Sequence, residues 1–223
     1  MDKPLLIKNG VYLCLNGQTL TVSSNNSAVI IDTGCDLTLC DCSEEQPGKI
    51  THAANATGRG VYMGASQGRD DSYNGSFTMY GGSITGNHIA ANSGAGVYMR
   101  YGTFNMHGGS ITGNTTAENH GTGGVYVGAG TASAAAKFNM SGNASISGNI
   151  ANYGGGVYVY GSSSFTMSEK AAITGNNVNN DGGGVYVNGY TATMTVSGDV
   201  QIKDNWQDGS KNDKTGVYEK GDD

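Results

Sequence analysis

Proline is almost absent from this chain, with two residues in 223, and arginine stops at three: Arg59, Arg69 and Arg100. Charged residues make up only 13% and the formal net charge is -6. That balance argues against nucleic-acid binding, because neutralising phosphates takes clustered Lys and Arg. No apolar run is long enough to span a bilayer, so membrane insertion is not expected. Helical periodicity is missing, and no strict Gly-X-Y period is kept, which excludes collagen. The opening "MDKPLLIKNGVYLCLNG" lacks the apolar core and cleavage site of a signal peptide. Two settings fit that opening: the cytosol, or a mature fragment cut from a longer exported chain. We take the second, for reasons the repeat supplies.

What the chain has in excess is glycine, 38 residues, and these keep fixed places in a repeat. "GRGVYM" begins at Gly58, "GAGVYM" at Gly94, "TGGVYV" at Thr122, "GGGVYV" at Gly154 and again at Gly182, and "KTGVYE" at Lys214. Successive valines, Val61, Val97, Val125, Val157, Val185 and Val217, lie 36, 28, 32, 28 and 32 residues apart. Two further anchors recur between them. One is Phe-x-Met, at Phe77, Phe104, Phe138 and Phe165, with Met194 as a substitute; the other is the isoleucine of "SIT", at Ile84, Ile111, Ile146, Ile173 and Ile202. A unit that tolerates insertions is structural, with loops of variable length.

Each anchor spans three or four residues of alternating character, which reads as a short strand. Val61 and Met63 point inward and Tyr62 outward; Phe77 and Met79 point inward and Thr78 outward; Ile84 points inward. No hairpin signal pairs neighbouring strands. Three strands per turn, each stacked on its equivalent in the next turn, predict a parallel β-helix of about seven turns. Identical inward residues should then form ladders, and Asn87, Asn114, Asn149, Asn176 and Asn205, at equal offsets behind the third strand, should form a stacked amide ladder. The N-terminal region fits in weaker form: "VII" at Val29 stands for "VYM", "LTLCDC" and "KIT" supply the other two strands, and "LCLNGQTLT" from Leu13 matches "FTMYGGSIT" from Phe77 position for position. A single domain, 1–223, is expected: a cap and cysteine-containing first turns over 1–59, regular turns over 60–205, and a polar end over 206–223. "MDKPLLIKNG" is expected to cover the first turn, and an exposed solenoid end needs such a cover.

These units resemble the right-handed β-helix repeats of bacterial surface proteins in the pectate-lyase-like superfamily. "GNTTAENHGTGGVYV" and "GNIANYGGGVYV" resemble the repeats of polymorphic outer-membrane and adhesin-like proteins. "LCLNGQTLTV" and "LTLCDC" resemble the opening segment of repeat-rich surface proteins of gut Firmicutes. The resemblance covers most of residues 11–205. It implies an extracellular or cell-surface bacterial setting, as part of a larger exported protein. It also implies a choice between adhesive modules and enzymes acting on polysaccharides.

Enzymes of that superfamily bring testable chemistry. The polygalacturonase-like ones combine Asn-Thr-Asp, Asp-Asp, His-Gly and Arg-x-Lys segments; this chain has Asp70-Asp71 and His120-Gly121 and lacks the other two. Two neighbouring carboxylates in one loop do not face each other across a substrate as hydrolysis requires. The lyases need carboxylates for Ca²⁺ and a base for proton abstraction. Their best match is the insertion "GASQGRDDSYNGS", with Arg69, Asp70 and Asp71, and with Arg100 one turn further on at the position aligned with Gly64. Calcium is the one cofactor that this alternative brings in. His52, His88, His107 and His120 hold unrelated places in the repeat and form no ligand set.

Two outward arrays suit ligands. Tyr62, Tyr98, Tyr126, Tyr158, Tyr186 and Tyr218 form one stripe whose flat faces and hydroxyls suit sugar rings. Ser and Thr flank the isoleucine strand, as ice-binding solenoids arrange them by resemblance, with Lys49, Ala172, Gln201 and Lys203 interrupting the columns. Both arrays also have a plain structural reading, since aromatic pairs and threonines stabilise sheets on their own. The four cysteines, Cys14, Cys35, Cys40 and Cys42, all fall in the first two turns and suit two disulfides in an oxidising setting. Cys14 is read as stacked on Thr38, so a Cys14–Cys40 bridge needs a shift of register. A metal site and free thiols are the other readings of the same four residues. The expected function is a non-catalytic secreted or surface module that contacts polysaccharides or host glycans. A polysaccharide lyase or hydrolase is the alternative, and ice binding a remote one.

Overall fold

The computed structural model describes residues 1–64, 75–90, 93–116, 121–128, 135–189, 191–208 and 216–219. Strands and turns build all of it; no helix occurs among these residues. Every strand pairs in parallel with its equivalent one turn away, which makes a right-handed parallel β-helix. The valine–tyrosine sheet has eight strands, from Leu5–Ile7 through Val61–Met63 to Val217–Glu219. The phenylalanine–methionine sheet has seven, from Val11–Cys14 to Thr193–Val196, and the isoleucine sheet has seven, from Thr19–Val22 to Gln201–Lys203.

Register follows the repeat residue for residue. Val97 pairs with Val61 and Val125, Phe104 with Phe77 and Phe138, and Ile111 with Ile84 and Ile146. The inward side chains therefore stack as ladders. Phe77, Phe104, Phe138 and Phe165 lie ring on ring, with centroids 4.5, 4.8 and 4.9 Å apart. Met79, Met106, Met140 and Met167 are fully buried beside them. Burial of each such side chain stabilises by roughly 1.5–3 kcal/mol, and a stacked aromatic pair adds ~0.5–1.5 kcal/mol.

The asparagine ladder is present and is wholly buried. The Nδ2 of Asn87, Asn114, Asn149 and Asn176 donates to the Oδ1 of the next asparagine at 2.9, 3.0, 2.9 and 3.0 Å. The backbone N–H of each of these four donates to the same oxygen. The other Nδ2 hydrogen reaches back one turn, as from Asn149 to the Ile111 carbonyl at 3.0 Å. One side chain thus ties three turns together. At the N-terminal end His52 closes the ladder: its Nδ1 lies 2.7 Å from Asn87 Oδ1 and its Nε2 2.7 Å from the Asn26 carbonyl.

The glycine before each Val-Tyr pair has an equally local cause. A Cβ on Gly156 would lie 2.5 Å from the Gly184 carbonyl oxygen and 2.6 Å from Ile173 Cγ2. Gly60, Gly96, Gly124 and Gly184 face the next turn's glycine carbonyl in the same way. The column is glycine because the backbone itself packs there, between the isoleucine ladder and the asparagine ladder.

Three features depart from expectation. Leu5–Ile7, expected to cover the end, is a regular strand paired with Val29–Ile31. Beyond the asparagine corner lies a fourth sheet of two-residue strands: His88–Ile89, Thr115–Thr116, Ile150–Ala151, Asn177–Val178 and Trp206–Gln207. In the first turn the second strand sits two residues from the expected register. Val11 and Leu13, not Leu13 and Leu15, pair with Leu37 and Leu39, and these stack under Phe77 and Met79. Leu15 drops into the corner, and its side chain packs where a Cβ on Gly48 or Gly82 would be. A shift of two preserves the inward face, so burial alone does not distinguish the two registers.

Three substitutions test this packing by equilibrium denaturation. Asn149→Ala removes the acceptor of the Asn114 N–H and Nδ2 and is expected to cost about 1–3 kcal/mol for each group left orphaned. Asn105→Ala, at the half-buried outward pair with Asn139, should cost less than about 1 kcal/mol. Gly156→Ala should destabilise by about 1–3 kcal/mol through overpacking. Equal, small effects at all three positions would contradict the ladder geometry.

Candidate functional site

The tyrosine row lies on the outer face of the valine–tyrosine sheet, but its two ends differ. Tyr158 and Tyr186 are only 4% and 5% exposed. Tyr153 covers Tyr186 at 5.1 Å, Tyr160 leans on Tyr158 at 6.2 Å, and Asn188 Nδ2 donates to the Tyr158 hydroxyl at 2.7 Å. The expectation of sugar stacking on Tyr158 and Tyr186 is therefore corrected: neighbouring turns fold over both rings. Tyr62, Tyr98 and Tyr126 stay half-exposed. Tyr62 and Tyr98 are stacked at 5.7 Å, and Tyr126 meets Tyr98 edge-on at 5.1 Å. Burial pushes the Tyr98 and Tyr126 hydroxyls above the usual phenol range, so both remain neutral donors. The side chain of Tyr218 lies outside the described residues.

The half-exposed end carries a residue that the repeat pattern did not single out. Arg59 stands two positions before Val61, where later turns have Ala95, Gly123, Gly155 and Gly183. Its guanidinium lies 5.6 Å from the Tyr62 ring centre and 5.1 Å from that of Tyr98, and its Nε donates to Ser93 Oγ at 3.2 Å. No carboxylate among the described residues pairs with it. Burial lowers the guanidinium pKa from its ordinary value, so the charge sits in surroundings that hydrate it poorly. Beside it opens a cleft of about 340 Å³, lined among others by Asn25, Asn26, Thr57, Arg59 and Tyr62. The one signal in the sequence was an arginine in a column of glycine and alanine.

Of the catalytic candidates, Arg69, Asp70 and Asp71 lie outside the described residues, as does His120. Arg100 does align with Gly64: Met99 pairs with Met63 and the Arg100 N–H donates to the Met63 carbonyl. Its guanidinium turns to tyrosines, 5.4 Å over the Tyr101 ring with Nη2 donating to the Tyr101 hydroxyl at 3.5 Å, and with Tyr62 close by. Desolvation works against that charge, and Tyr62, Tyr101 and Tyr98 together outweigh it, which holds the pKa above the ordinary value. Arg59 and Arg100 thus bring two cations into one tyrosine cluster in a protein of net charge -6. His52, His88 and His107 have separate partners: His52 ends the asparagine ladder, His88 bonds Thr115, and His107 bonds Ser141. The Ser/Thr columns bond within themselves, as from Ser110 to Ser83 at 3.0 Å and from Ser147 to Thr112 at 3.3 Å.

The cysteines divide three to one. Register places Cys14 directly against Cys40, because Tyr12, not Cys14, stacks on Thr38. Cys42 folds back round the corner, and its sulfur lies 2.6 Å from that of Cys14. The Sγ atoms of Cys14, Cys40 and Cys42 all lie within 4.8 Å of one another. Cys35 is buried apart from them, with its thiol facing the Thr33 carbonyl at 3.4 Å. Two disulfides among the four are thus not accommodated, since Cys35 has no cysteine within reach. Asp41, between Cys40 and Cys42, locks the corner. Its carboxylate accepts N–H bonds from Gly17 at 2.8 Å, Gly48 at 2.5 Å and Ser43 at 3.4 Å. Burial raises its pKa, and the Gly17, Gly48 and Ser43 bonds outweigh that and hold the carboxyl below its usual range.

No family model, curated protein or solved structure matches the chain.

The Asp41 bonds predict a pH response. The carboxyl's pKa is lower folded than unfolded, so its stabilisation is complete above the unfolded value, near 3.8. It is lost as pH falls through the lower native value. Denaturation of the parent and Asp41→Asn chains should differ most at neutral pH and converge on acidification. A difference that grows below pH ~4 would contradict the assignment.

Proposed function

We propose that this chain is a non-catalytic, secreted or cell-surface β-helix module, of the bacterial adhesin type, that binds acidic glycans at the half-exposed end of its tyrosine row. The observation that carries this reading is Arg59 stacked against Tyr62 and Tyr98 at the mouth of the cleft. Flat aromatic faces pack against the C–H faces of sugar rings, and amide side chains such as Asn25 and Asn26 bond their hydroxyls. A neutral sugar would use those groups alone. A uronate or sulfated sugar also brings an anion to a guanidinium that burial leaves poorly hydrated and that no described carboxylate neutralises. The rest of the rod serves as a spacer whose length grows ~4.8 Å per turn.

Polysaccharide arrays give the test. Polyuronates and sulfated glycans should bind and neutral glucans should not. Arg59→Gln or Tyr98→Ala should weaken binding about 10–100-fold, as loss of a charge-assisted hydrogen bond or a ring face would. Equal binding of neutral and acidic polymers, or wild-type affinity in Arg59→Gln, would overturn this reading. Release of unsaturated uronates, with or without Ca²⁺, would replace it with the lyase alternative.

A further inference from the structure

We propose that Cys14, Cys40 and Cys42 form a three-thiolate site for a thiophilic closed-shell cation, of the zinc or cuprous type, on the outer face of the first two turns. The site is independent of the arginine–tyrosine cleft. Its sulfurs come from two adjacent turns and one corner, and all three approach within 4.8 Å of one another.

The odd number of thiols and the Cys14–Cys40 spacing favour an ion over a covalent bridge between those strands, while Cys14 and Cys42, at 2.6 Å, are the one pair near bonding distance. Three is an odd count, so any disulfide within the group strands one sulfur. Cys14 and Cys40 are in-register neighbours on parallel strands. Such neighbours point their side chains the same way, about one strand spacing apart, which is wider than a disulfide's Cβ separation. Two parallel thiols at that spacing are instead two legs of a chelate. Cys42 supplies the third from the side. Ligand sulfurs around one zinc ion stand roughly 3.8 Å apart, given Zn–S of ~2.3 Å. Cys42 is exposed and can swing away from Cys14 to that distance by a side-chain rotation.

The support around the sulfurs is rigid. Asp41 pins the Cys40–Cys42 turn to the backbone of Gly17, Gly48 and Ser43. The Leu15 N–H donates to the Cys40 carbonyl at 2.9 Å, and the Cys40 sulfur faces the Leu13 carbonyl at 3.6 Å. Oriented partners of this kind are what holds metal ligands in place. The surroundings are acidic, with Asp41, Glu44 and Glu45 on the same corner. An ion bound there would offset the charge of the thiolates it creates next to Asp41. On binding, each thiol gives its proton to solvent and its sulfur lone pair to the ion, with no change of oxidation state. Cys14 and Cys42 are exposed, so an ion has a direct path in, and three protein ligands leave one position for water or a donor from a partner.

The test uses the full chain, reduced with a phosphine under anaerobic conditions and titrated with Cd²⁺. Thiolate-to-cadmium charge-transfer absorption should saturate at one ion per chain. Zn²⁺ and Cu⁺ should each displace the probe. Cys40→Ser decides between a three-sulfur site and a Cys14–Cys42 pair. Affinity should fall by no less than the ~10–100-fold that loss of an outer-sphere partner costs. Cys35→Ser should titrate like the parent chain, and far-ultraviolet dichroism confirms that both variants fold. Absence of the absorption band would overturn the proposal, as would a Cys40→Ser titration like that of the parent.

Discussion

Stacking of each turn on an identical next turn is the constraint on which everything else depends. A turn of this β-helix makes almost no use of itself: its strand hydrogen bonds run to the turns above and below. Side chains must therefore match along the axis, not within the turn. Phenylalanine lies on phenylalanine and methionine on methionine, and asparagine bonds asparagine. The asparagine ladder is the most demanding of these matches. A buried amide with both hydrogens and its oxygen engaged tolerates no neighbour of another shape, and an orphaned one costs about 1–3 kcal/mol. Glycine before Val-Tyr belongs to the same constraint, because carbonyl groups of successive turns occupy the space of a side chain.

The same arrangement decides where function can reside. Inward positions are committed to ladders, and the outward tyrosines of the later turns are spent on mutual contacts, as Tyr158 and Tyr186 are. Variety is left to the corners and the N-terminal turns, where the repeat is least regular. Both distinctive sites lie there. Arg59 replaces a small residue in the approach to the third Val-type strand, and its charge lands between two tyrosines. Cys14, Cys40 and Cys42 gather where the first two turns depart from the later sequence pattern.

The ladders were legible because periodic identity is a direct statement about stacking: Phe77, Ile84 and Asn87 each named their partners one repeat away. What was not legible had physical reasons. The corner sheet is built of His-Ile, Thr-Thr, Ile-Ala, Asn-Val and Trp-Gln, two residues each, too short for any alternation to show. The first-turn register was ambiguous because Leu13 and Leu15 offer the same inward face as Val11 and Leu13; the structure chooses the latter pair and seats Leu15 in the corner. That two-residue difference moved Cys14 opposite Cys40 and changed what the thiols can do. The covering of Tyr158 depends on Tyr160 and Asn188, contacts no repeat pattern encodes. Arg59 was visible only as an exception in a glycine column.

Hydrogen exchange at the asparagine amides tests turn-to-turn stacking most directly. The N–H groups of Asn87, Asn114, Asn149 and Asn176 each donate at 3.0 Å to a buried side-chain oxygen of the next turn. Stacking as the dominant constraint predicts that these four exchange among the slowest amides in the chain, through global unfolding alone. Exchange at these four as fast as at the exposed corner residues would contradict it, and would mean that the ladder opens locally and does not hold the turns together.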